Sequence, residues 1–316
     1  MSRLHVIHEN PAWIGAFTDA FDARHVPWTE WLIDHGKVDY AAIPPEGVFY
    51  NRMSASSHTR DHRYAPELTL ALLHWLERHG RRVINGTSAL DLEISKARQY
   101  ARLERAGIRV PRTIVVTGKE DVLNASKTFF DAGQPVILKP NRGGKGLGVQ
   151  LFNTYAGLSS YLNGPTYEQP VDGIQLLQEY IKAPEPYITR AEFVGGRFLY
   201  AVRVDTSEGF ELCPAEACEI GDAFCPTTAT PRPKFEIIDD IDANLKESYE
   251  RFLSENGIEI SGIEFIVGQD GKIRTYDVNT NTNYNPTAEA VAGRSATLAV
   301  ADFLGGLVRE YYPLAS

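Results

Sequence analysis

The chain has 316 residues, and at roughly 150 residues per domain this length predicts about two domains with room for a sizeable core. Its formal net charge of −9 argues against a nucleic-acid-binding or membrane-surface protein, because both of those partners are polyanions. The sequence lacks an apolar run of about 18 residues, and its first residues have the pattern of a strand rather than of a signal peptide. We therefore expect a cytoplasmic protein.

The N-terminal part of the chain alternates between predicted strands and predicted helices. This alternation is typical of a small parallel α/β layer. Predicted strands span residues 4–8, 47–51 and 82–85, and predicted helices span residues 11–25 and 65–79. A further helical pattern runs from Ser88 to Gly107. We place the end of this first domain at about residue 90.

The remainder of the chain is predicted to form mostly hairpins. Predicted strands span residues 112–117, 135–140, 148–153, 174–181, 188–194 and 197–205. A helix is predicted over residues 243–255. Asn285 and Pro286 have the pattern of an N-cap and a first helical residue, which predicts a C-terminal helix that runs toward Tyr311.

A long aperiodic segment runs from Cys213 to Pro233. Loops of this length are usually functional, so we predict a lid on the substrate side of the protein. The chain contains three cysteines, all in this segment, and their spacing lacks a metal-binding or redox pair. We interpret Cys213, Cys218 and Cys225 as reduced thiols.

A predicted hairpin near the C-terminus places two carboxylates together. Its strands flank Gln269–Gly271, and Asp-Gly between alternating segments is a strong hairpin signal. A two-residue turn there sets Glu264 opposite Asp277 and brings Asn279 to the same face. Opposed carboxylates repel, so hard oxygen ligands in this arrangement predict Mg²⁺, with Mn²⁺ as an alternative metal. The other interpretation is a solvated sheet face with an incidental acidic pair. The opposite, core-facing side of the hairpin carries Ile263 against Val278 and Phe265 against Tyr276.

Two further segments favour anion binding. Residues 141–148 are half glycine and join two predicted strands, which lets backbone N–H groups approach a phosphate, while Lys139 and Lys145 add charge. A flexible hairpin without a ligand is the alternative. Two-residue turn pairing at Gly195–Gly196 places Arg190 and Arg203 on one face, where both guanidinium groups could reach a shared phosphate or carboxylate. A salt bridge from either arginine to Glu192, on that same face, is the other interpretation.

The order of these motifs resembles the ATP-grasp superfamily over essentially the whole chain. The motifs are a lysine in the helix after the first domain, a lysine-bearing strand, the glycine-rich loop, Gln178–Ile181, the paired arginines, and the metal hairpin. The chain is most similar to the branch of ribosomal-protein glutamate ligases and related amino-acid ligases (RimK-like). This resemblance implies a mixed α/β (α+β) fold with three parts. These are a pre-ATP-grasp α/β domain at 1–90, a subdomain with the glycine-rich loop at 91–185, and a subdomain with the metal site at 186–316.

The resemblance also implies roles for individual residues. Lys96 and Lys139 would hold the ATP phosphates, and the glycine-rich loop would close over them. Arg190 would steady an acyl phosphate together with Arg203, and Arg52 would bind a substrate carboxylate. The implied nucleotide contacts are Lys96, Lys139, Gly143, Gly144, Lys145, Gly146, Gln178, Glu179, Tyr180, Ile181 and, at the ribose, Glu185. The implied metal ligands are Glu264, Asp277 and Asn279.

The expected activity is an ADP-forming acid–amino-acid ligation. A carboxylate would attack the γ-phosphate of MgATP, and an amine would displace phosphate from the acyl phosphate to form an amide. An amino acid such as glutamate is the expected substrate. The alternatives are a kinase with a stable phosphorylated product and a catalytically silent nucleotide-binding module. We expect no nucleic-acid or membrane partner. The identity of the acid and amine, a small-molecule or protein-terminus acceptor, and a homo-oligomeric state stay open.

Overall fold

The computed structural model describes residues 3–144, 146–207 and 234–312. The predicted lid at 213–233, its cysteines and Lys145 lie outside the described residues. Within these ranges the chain forms three β-sheets with helices packed on them, and the predicted mixed α/β fold is confirmed.

A four-stranded parallel sheet forms the N-terminal part. Its strand order is β2-β1-β3-β4. The strands are β1 (Arg3–His8), β2 (Trp28–Leu32), β3 (Gly47–Asn51) and β4 (Arg82–Ile84), and the helices are α1 (Gly15–Ala23) and α2 (Ala65–Arg78). β3 is buried throughout because helices cover both faces of this layer. The edge strand β2 is absent from the prediction, since its half-exposed residues lack a clear alternation.

The helical pattern predicted from Ser88 to Gly107 divides into two helices. These are α3 (Thr87–Glu93) and α4 (Lys96–Arg105). The division follows from Ser95, whose extended backbone and side-chain oxygen cap α4 by accepting a hydrogen bond from the Arg98 N–H. The prediction of one helix is therefore wrong, and Lys96 is the first residue of a new helix.

The second sheet is antiparallel and has the order β5-β8-β6-β7. Its elements are β5 (Thr113–Thr117), α5 (Lys119–Phe130), β6 (Val136–Pro140), β7 (Gln150–Phe152), α6 (Tyr155–Asn163) and β8 (Ile174–Glu179). Phe129 of α5 and Leu158 of α6 are fully buried against this sheet. The sequence did not lead us to expect these two helices.

The third sheet is also antiparallel and has the order β11-β10-β9-β12-β13. Its strands are β9 (Tyr187–Val194), β10 (Arg197–Asp205), β11 (Phe235–Ile238), β12 (Ile260–Val267) and β13 (Ile273–Asn279). The helix α7 (Ala243–Glu255) lies between β11 and β12, and the helices α8 (Pro286–Ala292) and α9 (Ala296–Tyr311) follow β13. Asn285 caps α8 as predicted, but Gly293 adopts a left-handed conformation (φ 64°) that ends this helix, so the expected single C-terminal helix is two.

The β12–β13 register confirms the predicted pairing of Glu264 with Asp277, although the turn differs from the expected one. Gly268 pairs with Lys272 across a three-residue loop, and Gly271 supplies its left-handed residue (φ 71°). A bulge after Glu264 restores the register, so Phe265 pairs with Thr275 rather than with Tyr276. The expected core position of Tyr276 is therefore wrong, and this side chain lines the central cavity.

The β9–β10 register contradicts the predicted pairing of the arginines. The pairing shifts by one residue between Phe198 and Tyr200, so Arg190 lies opposite Val202 and Arg203 lies opposite Thr189. Since a one-residue shift exchanges the faces of a strand, the two arginines point to opposite sides of the sheet.

Within the described ranges, no individual helix has both the length and the apolarity needed to cross a membrane. By those two criteria α8 and α9 pass only when taken together, and they meet at a bend of 91°.

Candidate functional site

A cavity of about 570 Å³ lies where the second and third sheets face each other and the N-terminal layer closes one side. Most of the side chains expected to form the site line it. They are Lys96, Lys139, Gly143, Gly144, Gly146, Gln178, Glu179, Tyr180, Ile181, Glu185, Arg190, Glu264, Asp277 and Asn279. Arg52 and Arg203 are not among the lining residues.

Two carboxylates and one amide share one face of the β12–β13 hairpin. Burial and the neighbouring Asp277 raise the pKa of Glu264 to about 7. The Asn279 amide nitrogen lies 3.5 Å from a Glu264 oxygen. The described residues contain no group of three or more His, Cys, Asp or Glu side chains placed to hold a metal. The set of two carboxylates and one amide nevertheless fits Mg²⁺, because its donors are hard oxygens and the raised pKa of Glu264 shows that this carboxylate would gain from a nearby cation.

Lys96 at the start of α4 contacts this acidic face. Its Nζ donates to Asp277 Oδ1 at 2.9 Å and lies 3.5 Å from the Gly143 carbonyl oxygen. Burial opposes the charge, but attraction to Asp277, Glu93 and Glu264 outweighs it and raises the pKa of Lys96. Lys96 therefore stays protonated and supplies a fixed positive charge at the junction of the glycine-rich loop and the acidic face.

Lys139 is buried in the middle of β6 and is held by tyrosines. Its Nζ lies 2.6 Å from Tyr100 Oη, and Gln178 Nε2 donates to the same oxygen at 3.0 Å. Tyr100 in turn donates to the Tyr276 carbonyl at 2.8 Å. Burial and repulsion from Lys96 lower the pKa of Lys139 to about 7. An anion bound beside this amine would restore its charge.

The glycine-rich loop begins at Asn141, which is hydrogen-bonded to the start of α4. The Asn141 side chain accepts from the Ala97 N–H at 2.9 Å, and its carbonyl accepts from the Lys96 N–H at 3.2 Å. Arg142 follows and forms an ion pair with Glu67 of α2, with Nη1 2.6 Å from Oε1. A side chain at Gly144 would lie 3.7 Å from Ser56, so the loop passes close to the N-terminal layer.

The segment from Gln178 to Glu185 lines another side of the cavity. The Glu179 carboxylate accepts from the Arg112 N–H at 2.9 Å and lies 3.5 Å from the Arg274 guanidinium. The Gln178 side chain bonds to Tyr100 and Thr113. Because the side chains of Gln178 and Glu179 are engaged elsewhere, these two residues offer a ligand mainly their backbone groups, whereas Tyr180, Lys182 and Glu185 also line the cavity.

Arg190 reaches the cavity from β9 and is buried. Its Nε donates to Glu192 Oε1 at 2.5 Å, and its Nη2 donates to the Asn283 carbonyl at 2.5 Å. The interpretation of a pair with Glu192 is thus confirmed, but the pair is buried rather than on the surface.

Arg203 does not join Arg190. Its side chain is 43% exposed, lies 3.8 Å from Glu236 and packs 5.1 Å from the Tyr187 ring. The prediction that it shares a ligand with Arg190 is wrong, because the irregularity at Leu199 turns it to the other face.

Arg52 is likewise kept out of the cavity. It is 3% exposed, and its guanidinium donates to Asn281, Thr282 and Asn283 and to the Trp13 carbonyl. Because these donors already have protein acceptors, the structure gives no support to the direct contact with a substrate carboxylate, which stays a prediction.

Sequence reasoning missed several residues that line the cavity or support it. Tyr100 and Tyr276 flank Lys139, and the half-buried Glu93 carboxylate accepts from the Thr280 N–H at 2.7 Å. Trp13, Ser54 and Ser56 line the cavity from the N-terminal layer. Tyr100 was detectable as a tyrosine one helical turn after Lys96 on the same face, whereas the others follow only from the packing of the sheets.

Comparison with known proteins shows which family the chain resembles. Residues 94–211 match the model of the RimK-like ATP-grasp domain. This part of the chain resembles a RimK-like ATP-grasp domain. Beta-citrylglutamate synthase B from Danio rerio is 23% identical over 239 residues, which are 76% of this chain and 54% of that protein. Tetrahydromethanopterin:alpha-L-glutamate ligase from Methanosarcina acetivorans is 32% identical over 139 residues, which are 42% of this chain and 41% of that protein. The chain spans about half the length of the curated relatives it matches.

Solved structures extend the likeness of the ATP-grasp domain to the fold of the whole chain. The ATP-grasp ligase PsnB, solved with a minimal precursor, has a TM-score of 0.67 at 18% identity and covers 96% of this chain and 98% of its own. The D-cycloserine synthetase DcsG has a TM-score of 0.65 at 16% identity, with 96% and 99% covered. The predicted ATP-grasp fold with a preceding parallel layer is confirmed.

Proposed function

We propose that the protein is an ADP-forming ligase that joins a carboxylate to an amine through an acyl phosphate. What supports this function most is the convergence of two lysines, an acidic face and a buried arginine on one cavity beside a glycine-rich loop. Such a reaction proceeds by positioning and by charge stabilisation, so it needs no protein nucleophile.

Individual residues would then have distinct roles. Lys96 and Lys139 would bind the nucleotide phosphates, and Gly143, Gly144 and Gly146 would offer backbone N–H groups to them. The backbone of residues 178–181 would contact adenine, with Glu185 at the ribose. Arg190 would stabilise the transferring phosphoryl group and the acyl phosphate.

Glu264, Asp277 and Asn279 would hold Mg²⁺, which supplies charge neutralisation at the phosphates when bound. Their buried carboxylates favour a divalent cation because Asp277 and burial already raise the pKa of Glu264 to about 7. Mn²⁺ in this role stays a prediction, as do the cytoplasmic location, the lack of a nucleic-acid partner and a homo-oligomeric state.

For the substrate we propose an amino acid or a peptide carboxylate, with glutamate as the first candidate. The curated relatives are named for glutamate ligases or for synthases of glutamate conjugates, and one structural neighbour was solved with a precursor peptide. Trp13, Ser54 and Ser56 form the part of the cavity wall nearest the N-terminal layer, which would receive the substrate.

The test is incubation with MgATP and each amino acid, alone and in pairs, with phosphate release and product mass as readouts. An amide product with stoichiometric ADP supports the proposal. A stable phosphorylated product would instead identify a kinase, and nucleotide binding without turnover would identify a regulatory module. Lys139→Met and Arg190→Met separate the roles, because we expect the first to weaken ATP binding in calorimetry and the second to spare it while lowering the rate.

A further inference from the structure

Arg52 binds three consecutive residues that follow β13. Its Nε and Nη2 donate to Asn281 Oδ1 at 3.2 and 3.0 Å, and its Nη2 lies 3.1 Å from the Thr282 carbonyl and 2.7 Å from Asn283 Oδ1. The guanidinium carbon lies 3.7 Å from the centre of the Phe17 ring. These contacts fix the planar group on one face and along its edge. We call Asn281–Asn283 the clamped segment.

Arg190 also binds the clamped segment. Its Nη2 donates to the Asn283 carbonyl at 2.5 Å, and its partner Glu192 accepts from Thr282 Oγ1 at 3.0 Å. Asn283 therefore contacts one arginine through its side chain and the other through its backbone. Asn281, Thr282 and Asn283 all line the cavity, whereas Arg52 does not.

We propose that Arg52 is a positioning residue that fixes the clamped segment and thereby the guanidinium of Arg190. This inference rests on the proposed function of Arg190 at the transferring phosphoryl group. Removing Arg52 leaves the amides of Asn281 and Asn283 without their donor, so both side chains can rotate and the backbone acceptor of Arg190 can shift. A shift of about 1 Å is enough to lose much of the stabilisation that an aligned charge provides.

Arg82 offers a matched control. It also connects the N-terminal layer to the third sheet, through Glu259 at 2.8 and 2.5 Å, but neither residue lines the cavity. Arg82→Met and Arg52→Met remove the same charge and a contact between the same two parts, although Arg82 pairs with a carboxylate and Arg52 bonds amide and carbonyl oxygens. A purely structural role of Arg52 predicts similar behaviour of both variants.

The experiment measures MgADP affinity by calorimetry with and without aluminium fluoride, which mimics a transferring phosphoryl group. For the unchanged protein and Arg82→Met we expect aluminium fluoride to tighten binding by roughly a hundredfold. For Arg190→Met and Arg52→Met we expect unchanged affinity for MgADP alone and loss of most of this gain.

The outcomes separate the two hypotheses. Lack of MgADP binding by the unchanged protein overturns the proposed function. Retention of the gain in Arg190→Met overturns the role of Arg190, and that of Arg52 with it. Retention in Arg52→Met alone overturns only the positioning role.

A second variant covers the case in which Arg52→Met does not fold. Arg52→Lys keeps the charge near Phe17, but its single ammonium group cannot span Asn281 and Asn283 together. We expect thermal unfolding close to that of the unchanged protein and loss of most of the aluminium fluoride gain. A full gain in Arg52→Lys overturns the positioning role.

Discussion

The low pKa of Lys139 predicts that nucleotide binding takes up a proton. Burial and the nearby Lys96 lower this pKa to about 7, while Asp277 and Glu264 act in the opposite direction. At pH 8 about nine tenths of the free protein then has a neutral Lys139, and a bound phosphate restores the charge. We expect Lys139 to take up about 0.9 proton per MgADP at pH 8. At pH 6 Lys139 should take up only about 0.1 proton, while Glu264, which is then mostly protonated, should release about 0.9 when the metal binds. Above pH 8 the affinity should fall about tenfold per pH unit.

At pH 8 the other titratable groups of the site change the number of protons taken up by little. ADP is fully ionised above pH 7.5, because its terminal phosphate titrates near pH ~6. Glu264, with a pKa of about 7, is already about nine tenths ionised at pH 8 and releases roughly 0.1 proton when a metal binds. Burial raises the pKa of Tyr100 and Tyr276, so both stay neutral.

The assay is calorimetry of MgADP binding in two buffers with different ionisation enthalpies, Tris and HEPES, at several pH values. The slope of observed heat against buffer enthalpy gives the number of protons taken up. Lys139→Met should bind more weakly and show almost no uptake, whereas Lys127→Met, an exposed lysine on α5, should behave like the unchanged protein. Equal uptake in Lys139→Met and the unchanged protein would refute the assignment of the proton to Lys139.

The same shift affects stability without ligand. The folded-state pKa of Lys139 is lowered, so between about pH 7 and 10.5 the unfolded chain binds the additional proton. This group therefore makes the free energy of unfolding rise with pH across that window. We expect urea unfolding to show that the free energy of unfolding of the unchanged protein rises between pH 7 and pH 9 relative to that of Lys139→Met.

Three other substitutions test separate parts of the structure. Asp277→Asn should keep the fold but raise the activation free energy of turnover by about 3 kcal/mol, because it weakens the metal site. Unchanged rates would exclude Asp277 as a ligand. Arg203→Met should leave turnover within about twofold, since its exposed contact to Glu236 contributes little; a large loss of rate would return Arg203 to the site. Phe193→Ala should cost roughly 3–5 kcal/mol in urea unfolding, because the ring is fully buried, and a smaller loss would mean that the core collapses around the gap.

The β12–β13 hairpin shows how far the sequence could predict the site. Alternation and Asp270-Gly271 located the hairpin, and the pairing of Glu264 with Asp277 is confirmed. The pairing survived because a longer turn and a bulge shift the register in opposite directions. Neither feature has a distinct sequence signal, so the inward direction of Tyr276 could not be predicted.

The positions of Arg203 and Arg52 could not be predicted from local sequence patterns. One irregularity at Leu199 in β10 reverses the face of Arg203, and Gly195-Gly196 contains no information about it. Arg52 depends on contacts 229–231 residues away, which no local pattern reveals. The helices α5 and α6 were missed for another reason, because they connect strands of an antiparallel sheet, where hairpins were expected.

The capping role of Asn141 has a consequence for protein engineering. The start of the glycine-rich loop is bonded to the first turn of α4, 44 residues earlier in the chain, and Asn141 Nδ2 also donates to Asp172 at 2.6 Å. A chimera that exchanges only the loop with that of a related protein would therefore remove the side-chain acceptor of the Ala97 N–H and shift Lys96, although Ser95 would still cap α4. A functional transplant has to carry residues 95–97, 141–148 and Asp172 as one unit, although they are far apart in the sequence.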